Sequence, residues 1–298
     1  MKQKIVIMAG YTIKDLEKLS GIKAHTIRIW EKRYRIIEPD RTDTNRRRYS
    51  DNDLRKILNI SILNRNGLKI SNIARLTEEQ IRERVTLITQ EISKSDTQIE
   101  ALLLAMLDFN QSGFNSILTK SIVKLGLENS FERVVFPFLI RIGILWQTAS
   151  LNTAQEHFVS NLIRQKLITG IASLSSDKEE LKRVLFYLPE NEAHELALLF
   201  YAYIVKQLGF EILYLGQLTP LDSVKYSIDK WKPDFIITGM LSTFAGIDAK
   251  EYIHNLASLA GKTTFIVSGL LATVEMEKIP SNIHRIQSVD QLKKILAS

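Results

Sequence analysis

Two groups of residues in this 298-residue chain have types and spacings that suit chemistry. Near the amino end, Lys23, His25, Thr26, Arg28, Lys32 and Arg33 follow one another closely, and the run Arg46, Arg47, Arg48, Tyr49 comes soon after. Guanidinium forks match phosphate oxygens, and short polar side chains beside them can reach base edges in a groove. The charge is local. Residues 1–75 hold 18 Lys plus Arg against 8 Asp plus Glu, a net of +10, whereas the whole chain is only +7, which leaves the remainder at −3. Positive charge concentrated in this way marks a polyanion partner, because each neutralised phosphate releases condensed counterions. The second group consists of imidazoles beside carboxylates. Glu156-His157 follows Trp146 after nine residues, and Glu192-Ala193-His194 stands between an apolar run and a helical one. A His in the loop between such runs is poised to meet a ligand.

These side chains need elements to position them. Thr12 with Asp15 resembles a capping box opening a helix through Ile13, Leu16 and Leu19, which Gly21 ends. Ala24–Arg33 forms a second helix with Ile27 and Trp30 as its inner stripe, so Trp30 packs beneath the helix and the basic residues lie outside it. Two short helices across a glycine turn make a helix-turn-helix. The stretch Pro39–Tyr49 reads as a loop or hairpin carrying the arginines, a wing. Ser50 with Asp53 then caps a helix through Leu54, Ile57, Leu58 and Ile62, which Gly67 closes, and Ile70 and Ile73 begin one more.

Two further regions differ in rhythm. From about 77 to 175 the period is helical, with helices expected near 78–94, 97–108, 112–124, 127–146 and 152–174, joined by short connections that favour an antiparallel bundle. Ser173 to Lys178 is the expected linker. Beyond 181, apolar runs at Val184–Leu188, Ile212–Leu215, Phe235–Ile237 and Phe265–Val267, with a weaker one at His284–Ile286, alternate with helical stretches. That pattern implies a parallel sheet covered on both faces, a doubly wound α/β domain whose ligands meet the carboxyl ends of the strands. His194, between the strand Val184–Leu188 and the helix Leu196–Lys206, falls at that edge. The expected organisation is multidomain: residues 1–76 a winged helix-turn-helix, 77–176 a helical bundle and 181–298 the doubly wound domain.

Composition excludes several classes. The chain has no cysteine, hence no disulfide framework and no thiolate chemistry. Its apolar runs fall short of the roughly 20 residues that cross a bilayer. Its start lacks the form of a secretory signal, so no membrane partner and a cytoplasmic location are expected.

The run Tyr11 to Tyr34, followed by Arg47-Arg48-Tyr49-Ser50, resembles the DNA-binding domain of MerR-type transcriptional regulators. The resemblance implies double-stranded DNA as partner and a homo-oligomer, dimer or tetramer, although the long coiled-coil helix many such proteins use to dimerise is not evident after Ile73. The remainder resembles the adenosylcobalamin-binding light sensors of the CarH and LitR type, in which a helical bundle caps a cobalamin on a flavodoxin-like domain. That resemblance implies adenosylcobalamin as cofactor, His194 as lower ligand of its cobalt and Glu192 as the acceptor that orients the imidazole. It also implies that Trp146, Glu156 and His157 cover the upper face and the adenosyl group.

The chain departs from the pattern at four places. Cobalamin domains carry Gly where Ala197 stands, Ser-x-Leu where Gly239-Met240-Leu241 stands and Gly-Gly where Ser268-Gly269 stands. Gly239, Leu241, Ser268 and Gly269 are therefore the expected cofactor-binding positions, Gly239 and Ser268 with altered identities, and the hydroxymethyl of Ser268 is expected to narrow the slot for the nucleotide tail. Gln147 replaces a second His that can bind cobalt after photolysis. Three readings follow: a regulator switched by cobalamin and light, a regulator whose altered pocket answers to another small molecule or a protein, and, from a different class, a cobalamin-dependent enzyme or methyl carrier. The amino-terminal helix-turn-helix disfavours the last.

Overall fold

A computed structural model describes residues 11–41, 45–91, 95–147, 152–175, 181–241, 248–259 and 263–297. The chain divides into two compact units, one ending at Leu162 and the other running from Ile163.

In the first unit, α1 (Ile13–Ser20) opens on the Thr12–Asp15 capping box and closes on Gly21 in the left-handed conformation that its φ of 69° requires. Helix α2 (Ala24–Tyr34) follows, then the hairpin β1 (Asp40–Arg41) and β2 (Arg47–Arg48), antiparallel and completed by a bridge between Tyr11 and Tyr49. A second capping box, Ser50 with Asp53, starts α3 (Asp51–Arg65), and the short α4 (Ile70–Ile73) follows. Trp30 is buried with Ile60, Ile62, Leu63 and Ile73, as its place on the inner stripe predicts.

The helices α5 (Glu78–Glu91), α6 (Ser95–Leu107) and α7 (Gln111–Leu125) come next. The single long helix expected near 127–146 is instead three segments: α8 (Leu127–Ser130), a π-turn (Phe131–Val135) and α9 (Phe136–Gln147). Pro137 gives the reason. It has no N–H for the carbonyl four residues earlier and its ring crowds that carbonyl, so the ladder widens and the Phe136 N–H reaches back to the Phe131 carbonyl. The first two expected domains pack as one unit, because α3 lies against α5 and α6, and α1 against α9. Helix α10 (Thr153–Ala172) crosses the division, and the expected linker falls partly on residues 176–180, outside the described set.

The second unit is a five-stranded parallel sheet in the order β4-β3-β5-β6-β7. Its elements run β3 (Arg183–Pro189), α11 (Leu196–Gln207), β4 (Glu211–Thr219), α12 (Leu221–Trp231), β5 (Phe235–Met240), α13 (Ala249–Leu259), β6 (Thr264–Gly269), α14 (Leu270–Thr273), β7 (Ile283–Arg285) and α15 (Val289–Ala297). This is the doubly wound, flavodoxin-like order, with its switch point between β3 and β5. One face, with Leu185, Tyr187, Ile236, Phe265 and Val267, packs on Val224 and Ile228 of α12 and Tyr252, Ile253 and Leu256 of α13. Side chains alternate across a strand, so Phe186, Ile237, Gly239 and Ser268 belong to the opposite face. Strand β4 outruns its expected end at Leu215 because Gly216, at φ 85°, supports a bulge that lets pairing continue to Thr219.

Candidate functional site

On α2, the i, i+3 pair Ile27 and Trp30 is buried, while Lys23, His25, Arg28, Lys32 and Arg33 are exposed and Thr26 half-exposed. The exposed side of one short helix thus gathers the residues that the sequence singled out. Its start is prepared by Glu17 of α1, which accepts the Ala24 N–H at 3.2 Å and pairs with Lys23 at 3.3 Å; those contacts pull the Glu17 carboxyl below its ordinary range, the Ala24 bond most of all. The wing is held to the same helix by Glu31. Its two oxygens take Arg47 Nε at 3.0 Å and the Tyr49 hydroxyl at 3.2 Å. Glu17 and Glu31 were missed from the sequence, since acidic residues argue against a polyanion surface until their partners are seen.

Two sequence assignments change here. Tyr49 is fully buried, and burial followed by the nearby Glu31 carboxylate raises its hydroxyl pKa, so it is a core residue that anchors the wing and not a DNA contact. Arg47 is half-buried on Glu31, so its first task is to fix the wing relative to α2, while Arg46 is exposed and Arg48 half-exposed.

In the second unit, β3 delivers Glu192 and His194 to the carboxyl edge of the sheet beside the switch point. Glu192 is buried at 1% exposure, and one of its oxygens, Oε1, meets both His194 Nδ1 at 2.7 Å and the His194 N–H at 2.9 Å. The other oxygen, Oε2, accepts the Leu241 N–H just beyond β5 at 2.7 Å. A single carboxylate therefore ties the His194 loop to the end of β5 across the switch point. The imidazole itself is 62% exposed. Gln217 steadies the same loop by donating to the Ala193 carbonyl at 2.7 Å, and Glu195 accepts the Tyr214 hydroxyl at 2.9 Å and pairs with Arg164. An imidazole whose Nδ1 is held by a buried carboxylate presents Nε2 chemistry to a metal, so this donor set fits a cobalt ligand.

The expected slot residues divide. Leu241 is 61% exposed at the loop, while Gly239 and Ser268 are partners in register on β5 and β6. A Cβ on Gly269, whose φ is 63°, would overlap the Met240 carbonyl oxygen, so this glycine is required by strand packing alone. The hydroxyl of Ser268 lies where a side chain on residue 239 would go, 2.5 Å from that Cβ position. Gly239 thus leaves the volume that this hydroxyl fills.

In the first unit, Glu156 and His157 occupy the first turn of α10. Glu156 accepts from Ser160 at 2.8 Å, and His157, 68% exposed, lies 3.5 Å from its carboxylate. Trp146 and Gln147 belong to α9, with side chains outside the described set.

Comparison with known proteins agrees with this division of labour. Residues 11–80 match the MerR HTH family regulatory protein, and residues 98–169 match the B12 binding domain. The chain thus joins a region that matches a MerR-type helix-turn-helix to a region that matches a B12-binding domain. The chain is 28% identical, over 84% of both chains, to the HTH-type transcriptional repressor CarH of Myxococcus xanthus. It is 23% identical to the HTH-type transcriptional repressor CarA of the same organism, over 90% of this chain and 89% of that one. The monomethylamine corrinoid protein of Methanosarcina barkeri shares its fold over 65% of this chain and 94% of that one, with a TM-score of 0.53 at 15% identity. Among the described residues, no helix is long and apolar enough to cross a membrane.

Proposed function

We propose that this regulator represses transcription from DNA held by its winged helix-turn-helix, and that adenosylcobalamin bound at His194 sets its oligomeric state and hence its grip. The observation that carries the reading is Glu192, buried and shared between His194 Nδ1 and the Leu241 N–H. Glu192 would hold the ring through Nδ1, so that His194 would be the residue to hold the cobalt of the cofactor. The Co–C bond of the cofactor supplies the photochemistry. Trp146, Glu156 and His157 are assigned to the adenosyl group on the pattern of the CarH-type sensors. On the DNA side, His25, Thr26, Arg28 and Lys32 are assigned to the major groove, and Lys23, Arg33, Arg46 and Arg48 to phosphates. That CarH and CarA are named transcriptional repressors favours regulation over catalysis.

The test is spectroscopic. The full chain purified with adenosylcobalamin in the dark is expected to carry a cobalamin spectrum that changes irreversibly under green light, together with a change in sedimentation. A protein that retains no chromophore ends the cofactor reading, and one that retains it without photolysis ends the light-sensing part. Replacing His194 with Ala is expected to weaken binding and move the visible bands; identical bands and affinity would remove His194 as ligand.

A further inference from the structure

Within the first unit, the carboxyl end of α2, together with α3, α4 and the amino end of α5, encloses a cleft of about 410 Å³. That volume falls in the range of small-molecule sites, about 300–1,000 Å³. Its most buried lining residues are Asn59, Ile60 and Ile73. Asn59 is 7% exposed, and its side-chain amide makes no hydrogen bond among the described residues. Buried amides normally have partners, because a donor and an acceptor taken out of water and left unpaired are costly. The cleft that Asn59 lines is where such a partner can enter. Tyr34, Ile36 and Ile81 add partly buried apolar walls. The rim is charged: Arg35, Arg55, Lys56 and Arg82 stand with Glu78 and Asp108, four cations against two carboxylates. Arg55 pairs with Asp108 at 2.9 Å and Lys56 with Glu78 at 2.9 Å, both partly exposed, and the rim as a whole keeps a positive surplus.

A ligand matched to this cleft has a neighbouring donor and acceptor at one end, a flat apolar body and an anion at the other end. We propose that the cleft binds a nucleoside monophosphate, with the base edge on Asn59 and the phosphate on the basic rim. Every nucleobase carries a donor beside an acceptor, and a carboxamide meets such an edge through two bonds at once. Guanidinium forks suit phosphate oxygens, and their exposed position leaves them accessible to a ligand entering from solvent. None of the cleft residues is among those assigned above to DNA or to cobalamin. Tyr34 ends the DNA-reading helix α2 and Arg82 stands on α5, so an occupant meets both and gives the helix-turn-helix a small-molecule input of its own.

Equilibrium dialysis of the full chain against AMP, GMP, CMP and UMP, with the matching nucleosides and inorganic phosphate as controls, tests the site. At least one mononucleotide is expected to bind with a dissociation constant below about 1 mM, and about tenfold or more tighter than its nucleoside or phosphate alone. Asn59→Leu keeps the buried volume and removes both bonding groups. It is expected to weaken that nucleotide about tenfold or more, while the melting temperature stays level or rises because an unpaired amide has gone. Arg82→Gln is expected to weaken the nucleotide about three- to tenfold and to leave the nucleoside unchanged. The proposal is overturned if no mononucleotide binds, if inorganic phosphate binds as tightly as the best of them, or if Asn59→Leu binds like wild type. Should Asn59→Leu not fold, Arg82→Gln decides, and a nucleotide affinity equal to wild type in that variant overturns the site.

Discussion

The proposed cofactor site turns on Glu192. Both its oxygens are committed inside the protein, one to His194 and one to the Leu241 N–H, and a group buried to 1% exposure cannot exchange these partners for water. Removing an outer-shell partner of a metal-bound His commonly costs about 10- to 100-fold in metal affinity. Glu192→Gln is expected to fall in that range for adenosylcobalamin in a dark titration, while far-ultraviolet circular dichroism stays native. An affinity equal to wild type would mean that the imidazole needs no orienting acceptor. The arginines on the wing separate in the same manner. Arg46 is exposed, whereas Arg47 is spent on Glu31. Replacing Arg46 with Ala is expected to make the log-log salt dependence of operator binding shallower by about 0.9. Replacing Arg47 is expected to lower stability as well, because Glu31 is left half-buried without its cation. Equal salt slopes for wild type and the Arg46 variant would take that residue off the DNA.

At the scale of elements, the contact between the helix-turn-helix region and the bundle joins an apolar cluster, in which Ile60, Ile62 and Leu63 meet Val85, to a buried polar one. Glu100 of α6 is fully buried. Its Oε1 accepts the Ser61 hydroxyl at 2.8 Å and lies 3.4 Å from Arg65 of α3, while Oε2 has no hydrogen-bond partner among the described residues. Asp96 of α6 pairs with Arg65 at 3.3 Å and with Arg141 of α9 at 3.2 Å. The same two arginines donate to the Ser20 and Leu19 carbonyls, so α3 and α9 together hold the carboxyl end of α1. Burial pushes the Glu100 pKa from 4.5 up to about 7, against the pull of Arg65, Ser61 and Arg141. Because the folded value lies above the unfolded one, the favourable contribution is complete below about pH 4.5 and is lost as pH rises through about 7. The penalty on the ionised form is on the order of 3 kcal/mol. Glu100→Gln is therefore expected to be more stable than wild type at pH 8, with a flatter stability profile between pH 5 and about pH 7. Urea titrations across that range give the answer, and parallel profiles for the two proteins would show that Glu100 is ionised without cost.

At the scale of the whole molecule, a charge map and a set of periods already separate the parts. The local excess of +10 in residues 1–75, the two capping boxes and the change from helical to strand period are properties of neighbouring residues. They survive without knowledge of long-range contacts, which is why the winged helix-turn-helix, the bundle helices and the alternation of strands with helices were legible, while the strand order was not. His194 and Glu192 were legible for the same reason, being two residues apart at the end of a strand. What could not be read was whatever depends on who is opposite. Tyr49 looked like part of a basic wing until its ring was found in the core, and Glu31 and Glu17 gained their roles from partners on other elements. The π-turn before Pro137 reflects how a helix mends a broken ladder, and the linkage of Glu192 to Leu241 spans 49 positions. Gly239 and Ser268 each read as a defect in a motif and became a matched pair only once β5 and β6 lay in register. Local sequence settles which conformation a segment prefers and where its charge lies. Tertiary packing alone decides which atoms share a volume, because exclusion and desolvation act between residues that the chain order keeps far apart.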